Sequence, residues 1–205
     1  MHLNFSEEFG SVRSRFQTLL RRVVILSLTR RNFLKLAGSG VVVATCMPQV
    51  AFAYYPDRPR ELAMNNLHTG ETVESQYFNG KIYVPDELAR LDHICRDFRR
   101  NESHPMDKRL FDQISKIQDL LGTQAEVQII SGYRSPATNE ALRGKSSGVA
   151  KKSFHMLGQA IDFRLEGVNL KQVREAAISL KAGGVGYYPR SDFLHIDTGP
   201  VRSWA

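Results

Sequence analysis

The sequence predicts an α+β fold, in the form of one compact domain with an antiparallel sheet and helices on one side of it. Short runs with the period-two alternation of strands occur in both halves of the region 54–205. Segments with apolar residues at three- and four-residue steps, which are typical of amphipathic helices, lie between these runs. The region has the length of one ordinary domain and contains no sequence repeat.

Residues 1–53 are predicted to be a twin-arginine signal peptide. Residues 29–35 read TRRNFLK, a mildly apolar run follows, and Ala51-Phe52-Ala53 is a small-x-small cleavage site. The apolar run has about twelve residues, whereas a membrane span needs about twenty, so we expect no stable membrane anchor. We therefore expect the twin-arginine export machinery to deliver the domain 54–205 to the periplasm.

The predicted leader also changes how the net charge is interpreted. The whole chain has a net charge of +7, but the leader carries seven of the 28 Lys and Arg residues and two of the 21 Asp and Glu residues. The remaining chain is therefore close to neutral. The strongly basic surface that is typical of nucleic-acid binding is not expected, so we predict no nucleic-acid partner.

Turn and cap signals delimit the elements in the first half of the domain. Asn79-Gly80 is a strong signal for a two-residue hairpin, and Asp86 is the expected cap of a first helix. Gly122 ends a second helix. Cys95, the one cysteine of the region 54–205, falls in the apolar pattern of the first helix and is predicted to be a buried thiol. The predicted elements are strands 61–67, 72–78 and 81–84 and helices 86–98 and 108–121.

In the second half, strands are separated by helices and by one polar loop. A β-branched run ends in the sequence SGYRSP at residues 131–136, where the chain turns into a third helix. Residues 144–153 are rich in Gly, Ser and Lys and are expected to form an exposed loop at the rim of a site. Gly183-Gly184 ends a fourth helix. The predicted elements are strands 125–130, 158–165, 185–188 and 193–197 and helices 137–143 and 168–181.

Three residues of the second half have the chemistry of a metal site. His155 lies seven positions before Asp162, and His195 lies thirty-three positions after it. Two imidazoles and one carboxylate supply the three protein ligands of a catalytic zinc site, in which water takes the fourth position. The spacing excludes two histidines on one helical face, so we expect a loop and two neighbouring strands to supply the ligands. The alternative is a loop histidine, a solvent-facing aspartate and a hydrogen-bonded core histidine.

The sequence around these residues resembles the zinc D-Ala-D-Ala peptidase family. The resemblance rests on the pattern Ser-x-His-x-x-Gly-x-Ala-x-Asp-Phe from Ser153, on Ser-Gly-Tyr-Arg-Ser from Ser131 and on Phe-Leu-His-Ile-Asp from Phe193. That family includes vancomycin-resistance dipeptidases and phage endolysins, and it shares its fold with the hedgehog signalling domain. The chain is most similar to the periplasmic murein endopeptidase K group, which also resembles it at residues 65–71 and 182–190.

This resemblance implies a metal-binding set and a residue that acts on the substrate. His155, Asp162 and His195 are the implied zinc ligands. Arg134 is implied to face the scissile carbonyl, where a guanidinium stabilises the oxyanion that forms as water attacks.

The resemblance leaves the proton acceptor open between two carboxylates. In several relatives, it is a carboxylate three residues before the last zinc histidine, which is Asp192 here. Other relatives use a histidine at the position of Phe193. Asp197, two residues after His195 and on the same strand face, competes with Asp192 as the proton acceptor, or else it orients a histidine from outside the ligand set.

The expected activity is that of a zinc metallopeptidase acting on peptidoglycan peptides, of the murein endopeptidase or DD-carboxypeptidase type, with cleavage of a cross-bridge favoured. One alternative is an inactive, zinc-stabilised cell-wall binding module, which needs no proton acceptor at Asp192 or Asp197. Another is a cell-wall amidase that cuts the bond between sugar and peptide.

Overall fold

The computed structural model describes residues 58–146 and 148–205, so the predicted leader lies outside the described residues. The described part contains four α-helices, one 3-10 turn and seven strands in a single sheet. Within it, no helix is both long enough and apolar enough to cross a membrane. In chain order, the elements are β1 (Pro59–Asn66), β2 (Thr72–Asn79), α1 (Pro85–Ile94), α2 (Lys108–Leu121), β3 (Val127–Ser131), α3 (Pro136–Arg143), the 3-10 turn (Phe154–Leu157), β4 (Ala160–Leu165), α4 (Leu170–Leu180), β5 (Gly184–Tyr188), β6 (Phe193–Asp197) and β7 (Arg202–Trp204).

The sheet has the strand order β2-β1-β3-β4-β6-β5-β7. The α+β class is confirmed. The prediction of an antiparallel sheet was wrong at two places, because β1 pairs with β3 and β5 pairs with β7 in parallel, while the other neighbours are antiparallel. A parallel pair needs a crossover connection. Helices α1 and α2 provide it between β1 and β3, and β6 lies in sequence between β5 and β7.

One face of the sheet and the helices form the hydrophobic core. Neighbouring strands bring apolar residues side by side, as with Ile129 beside Phe163 and Phe163 beside Leu194. Helices α1, α2 and α4 contribute their apolar stripes to the same cluster, and Ile114 and Val173 are fully buried there. Because side chains alternate along a strand, the residues between these positions point to the opposite face.

The first half of the domain differs from its prediction at two places. The predicted strand 81–84 is reduced to a single bridge between Phe78 and Tyr83. The backbone amides of Lys81 and Ile82 both donate to Oδ1 of Asn79, and these hydrogen bonds close a tight turn in place of the strand. Helix α1 begins at Pro85 and ends at Ile94, so Asp86 lies in its first turn and is not its cap. Cys95 is fully buried, as predicted.

The face of the sheet opposite the core carries the candidate site. Asp162 on β4 lies beside His195 on β6, His195 beside Gly186 on β5, and Gly186 beside Trp204 on β7. These four residues form a row across the sheet. The strand β7 was not predicted from the sequence, so the last member of the row was missed.

Candidate metal centre

Two strands and one short turn bring the three predicted metal ligands together. Asp162 and His195 are direct neighbours in the antiparallel pair of β4 and β6. His155 lies in the 3-10 turn that precedes β4, and Gly158 ends that turn with a positive φ of 64°. A Cβ atom at Gly158 would lie 2.3 Å from the carbonyl oxygen of Pro105, so the return of the chain requires glycine.

The ligand atoms of these residues face one point. His155 Nε2 lies 3.3 Å from His195 Nδ1 and 3.3 Å from Asp162 Oδ1, and Asp162 Oδ1 lies 2.7 Å from His195 Nδ1. Tetrahedral zinc with ligand bonds of about 2.0–2.1 Å separates its ligand atoms by about 3.3 Å. Among the described residues, this is the one group of three such side chains that could hold a metal ion. The donor set and two of the three distances fit zinc, whereas the 2.7 Å between Asp162 and His195 is the length of a hydrogen bond.

Both imidazoles are held in orientation by the ring nitrogen that faces away from the ligand point. His155 Nδ1 lies 2.7 Å from the carbonyl oxygen of Gly132 and donates to it. His195 Nε2 lies 3.2 Å from Asp197 Oδ2. Hydrogen bonds of this kind fix the tautomer and the direction of a metal-binding histidine. The remaining nitrogens, Nε2 of His155 and Nδ1 of His195, are therefore free to bind a metal.

Asp197 has the surroundings of an orienting carboxylate. It is fully buried, and it accepts hydrogen bonds from the backbone amides of Gly184 and Gly199 and from two nitrogens of Arg202, in addition to its contact with His195. Burial alone would raise the pKa of this carboxyl, but these hydrogen bonds hold it well below its usual range. A carboxylate with so low a pKa and so many donors is a poor proton acceptor.

The ligand residues affect each other's protonation. Burial would raise the pKa of Asp162, but the neighbouring His155 and His195 hold it well below its usual range. Burial would lower the pKa of His195, yet the hydrogen bonds to Asp162 and Asp197 raise it to about 9. In the metal-free protein, the two carboxylates therefore stabilise a proton on His195.

The loop between β3 and α3 places Arg134 beside the ligands. The amide of Tyr133 donates to the carbonyl of Cys95 at 2.7 Å, and the amide of Arg134 donates to the carbonyl of His155 at 3.1 Å. Arg134 lines the same cavity as the three predicted ligands. Among the described residues, its terminal nitrogens have only long hydrogen-bond contacts, of 3.4 Å, with Asn139 and Ser131. Burial lowers the pKa of Arg134, while Asp162 opposes this effect.

A buried carboxylate fixes the same loop from behind. Asp97 Oδ2 accepts hydrogen bonds from the amide and the hydroxyl of Ser135, at 3.0 and 2.6 Å. Gly132 lies so close to Cys95 that a Cβ atom would be 2.3 Å from the Cys95 carbonyl oxygen. The position of Arg134 is therefore set by contacts on both sides of it.

Asp192 occupies a different environment from Asp197. It lies in the turn before β6 with a φ of 52°, and its side chain is largely exposed. Its Oδ2 lies 2.7 Å from Nη1 of Arg164. Asp192 does not itself line the cavity, although the adjacent Phe193 does. The other carboxylate oxygen of Asp192, Oδ1, has no hydrogen bond to any of the described residues.

The ligands open into a cavity of about 520 Å³. Lys152 of the predicted rim loop contributes to it, and so do Arg202 and Trp204, two residues that the sequence reasoning missed. The signal for them was weak, because strand β7 has only three residues and shows no readable alternation. The cavity is lined by Arg134, Ser146, Gly148, Val149, Ala150, Lys152, Ser153, Phe154, His155, Asp162, Tyr188, Phe193, His195, Arg202 and Trp204.

The chain matches one family model and several known proteins over most of its length. A family model described as peptidoglycan L,D-endopeptidase MepK matches residues 54–204. The chain belongs to this family. The peptidoglycan L,D-endopeptidase MepK of Escherichia coli K12 is 53% identical over 176 residues, which cover 85% of this chain and 96% of that protein. The probable peptidoglycan L,D-endopeptidase MepK of Haemophilus influenzae is 44% identical over 176 residues, with 85% and 95% covered.

The predicted resemblance to the murein endopeptidase K group is therefore confirmed, and with it the prediction of a peptidase. The alternative of an inactive binding module is not favoured. No solved structure matches the chain.

We expect the substitution Asp197→Asn to weaken metal binding by about 10- to 100-fold, because it removes the charge that orients His195. Zinc affinity measured by competition with a chromophoric chelator checks this. The matched control is Asp192→Asn, the same substitution on the other side of His195, which we expect to leave the affinity unchanged. Equal affinities of wild type and Asp197→Asn would contradict the orienting role.

Metal binding should also depend on pH, because the metal must displace the proton from His195. Below the His195 pKa of about 9, we expect the apparent zinc affinity to rise about tenfold per pH unit, and above it to level off. Chelator competition at a series of pH values between about 6.5 and about 9.5, corrected for protonation of the chelator, measures this slope. An affinity that does not change across this range would show that His195 carries no proton in the metal-free protein.

Proposed function

We propose that this protein is a zinc metallopeptidase that hydrolyses an L,D amide bond in the peptide cross-bridges of peptidoglycan. The observation that carries the proposal is the convergence of three ligand atoms on one point beside Arg134, in one cavity. The names of the relatives at 53% and 44% identity supply the substrate and the type of bond.

Zinc is the metal that the donor set supports best. Two imidazole nitrogens and one carboxylate oxygen, with a fourth position left open, are the typical set of a catalytic zinc site. A bound zinc ion would lower the pKa of a coordinated water towards about 7 and polarise the carbonyl of the scissile amide. His155, Asp162 and His195 are the residues that would hold it.

Arg134 is proposed to bind the carbonyl oxygen of the scissile amide. The hydrogen bonds of its terminal nitrogens to the described residues are long, at 3.4 Å, so shorter hydrogen bonds to a substrate oxygen remain available. Negative charge grows on that oxygen as water attacks, and a fixed guanidinium in a partly buried site stabilises it. The anchoring of the loop by Asp97 holds the guanidinium in place before substrate binds.

Asp192 is our proposed proton acceptor, and Asp197 is proposed to act on His195 alone. The exposed Asp192 carboxylate has one oxygen that no described residue occupies, whereas both oxygens of Asp197 accept several hydrogen bonds. Asp192 forms an ion pair with Arg164 and directly precedes Phe193, which lines the cavity. A proton acceptor must reach the attacking water directly or through one further water.

The charge of the cavity favours an anionic peptide. Arg134, Lys152 and Arg202 line it, and Asp162 is the one acidic residue among its described lining residues. Peptidoglycan stem peptides carry free carboxylates, which such a surface attracts. The periplasm is the compartment in which this substrate occurs, and the sequence TRRNFLK at residues 29–35 favours export by the twin-arginine route.

The proposed function is tested by incubating the purified, zinc-loaded protein with muropeptides, with and without a chelator. We expect cross-linked dimers to disappear and monomers to accumulate, and we expect the chelator to stop the reaction. Product mass distinguishes cleavage of the cross-bridge from cleavage between sugar and peptide. A folded, zinc-loaded sample that leaves every cross-linked muropeptide intact would overturn the proposal.

The same assay tests the proton acceptor. Asp192→Asn should retain zinc and lose turnover by about 100-fold or more, the contribution that general bases usually make. Asp86→Asn, which changes an exposed carboxylate in the first turn of α1, is the matched control and should keep full activity. Full activity of Asp192→Asn would assign the proton transfer to another group.

A further inference from the structure

The last strand of the sheet places a tryptophan next to the metal ligands. Trp204 lines the cavity, and the centroid of its indole lies 5.3 Å from that of the His195 imidazole, at an interplanar angle of 51°. Tyr188 and Phe193 line the same side of the cavity, with their rings stacked at 4.6 Å. We call these three residues, Tyr188, Phe193 and Trp204, the aromatic wall.

The indole of Trp204 is held in a fixed orientation. Its Nε1–H donates to the hydroxyl oxygen of Tyr188 at 2.9 Å. The strand below it carries Gly186, where a Cβ atom would lie 2.6 Å from two ring carbons, so the ring can rest on the sheet only because residue 186 is glycine. The Arg202 guanidinium lies 5.1 Å from the ring centroid. The ring is therefore positioned without help from a substrate.

The aromatic wall is not part of the hydrophobic core. Trp204 and Phe193 are only partly buried, and Tyr188 is 37% exposed. The core lies on the other face of the sheet, and none of the three wall residues has a place in its buried cluster. Ligand sites typically combine a rigid apolar surface with a few polar groups, and here the polar groups include Arg134, Lys152, Arg202 and the proposed metal ligands.

We propose that the aromatic wall, with Trp204 at its centre, is the subsite for an aliphatic segment of the substrate peptide immediately beside the scissile amide. This proposal rests on the proposed function and adds to it a residue that sets specificity. The closeness of Trp204 to His195 means that whatever covers the indole lies next to the bond that is cut. In a peptide cross-bridge, the group next to the bond that is cut belongs to the peptide and not to a sugar. Sugars also stack on aromatic rings, so the test must distinguish peptide from sugar.

The expected effect of removing the indole is a loss of substrate binding. Burial of the indole surface against an aliphatic segment contributes to the free energy of substrate binding. We therefore expect Trp204→Ala to raise KM by about 10- to 100-fold, with a smaller change in kcat. Trp204→Phe should recover part of the loss, because it keeps an aromatic face. Gly186→Ala should raise KM as Trp204→Ala does, because the added methyl group displaces the indole. The matched control is Ser203→Ala, an exposed neighbour on the same strand that we expect to keep the KM of wild type.

Metal affinity separates a substrate contact from a merely structural role. If the wall only supported His195, Trp204→Ala would weaken zinc binding, and chelator competition would show it. We expect the zinc affinity of Trp204→Ala to stay within about threefold of wild type. A KM within twofold of wild type, or a loss of zinc affinity that accounts for the loss of activity, would overturn the proposal.

Fluorescence gives a second test that does not depend on turnover. Trp204 is the only tryptophan of the chain, so the indole emission reports on this wall alone. Titrating the zinc-loaded protein with a sugar-free stem peptide should shift the emission and protect it from acrylamide quenching, whereas the peptide-free disaccharide should do neither. A response to the disaccharide alone, or to neither probe, would overturn the proposal. A response to the peptide without any cleavage of muropeptides would support the wall while refuting the proposed function.

Discussion

The antiparallel pairing of β4 with β6 is the interaction on which the site depends. Its register sets Asp162 beside His195 on one face and Phe163 beside Leu194 on the other. Because strand side chains alternate, a slip of one residue would turn the two ligands into the core and the apolar pair into the cavity. Full burial of an apolar side chain contributes roughly 1.5–3 kcal/mol. The packing of the core therefore holds the ligand pair in register.

Buried carboxylates fix the rest of the site, and each one is satisfied by several hydrogen bonds. Burying an unpaired carboxylate is costly, so each must accept hydrogen bonds or form ion pairs in the folded chain. Asp197 connects His195 to Arg202 and to the backbone of β5, and Asp97 connects the Arg134 loop to the segment after α1. The positions of the His195 imidazole and the Arg134 guanidinium are therefore set by the protein before metal or substrate binds.

The sequence was informative wherever chemistry or periodicity extends over many residues. Helices α2 and α4 were predicted closely, and the structure brings the ligand atoms of the two histidines and the aspartate within 4.8 Å of one another. The parallel pairs and β7 were missed because they depend on contacts between distant segments, and a three-residue strand has no period to detect. For the same reason, Arg202 and Trp204 did not stand out. Spacing along the chain does not distinguish Asp192 from Asp197 as the proposed proton acceptor, because the hydrogen bonds of each carboxylate involve residues that its position in the sequence does not reveal.

The proposed chemistry requires that His155, Asp162 and His195 form one metal-binding centre. Elemental analysis of the purified protein, after exposure to zinc and removal of the unbound metal, tests this claim most directly. We predict about one zinc ion per chain in the wild type and almost none in His155→Ala and His195→Ala, with both variants still folded by circular dichroism. A wild type that retains no metal, or folded variants that retain the full amount, would show that these three residues do not form a metal centre.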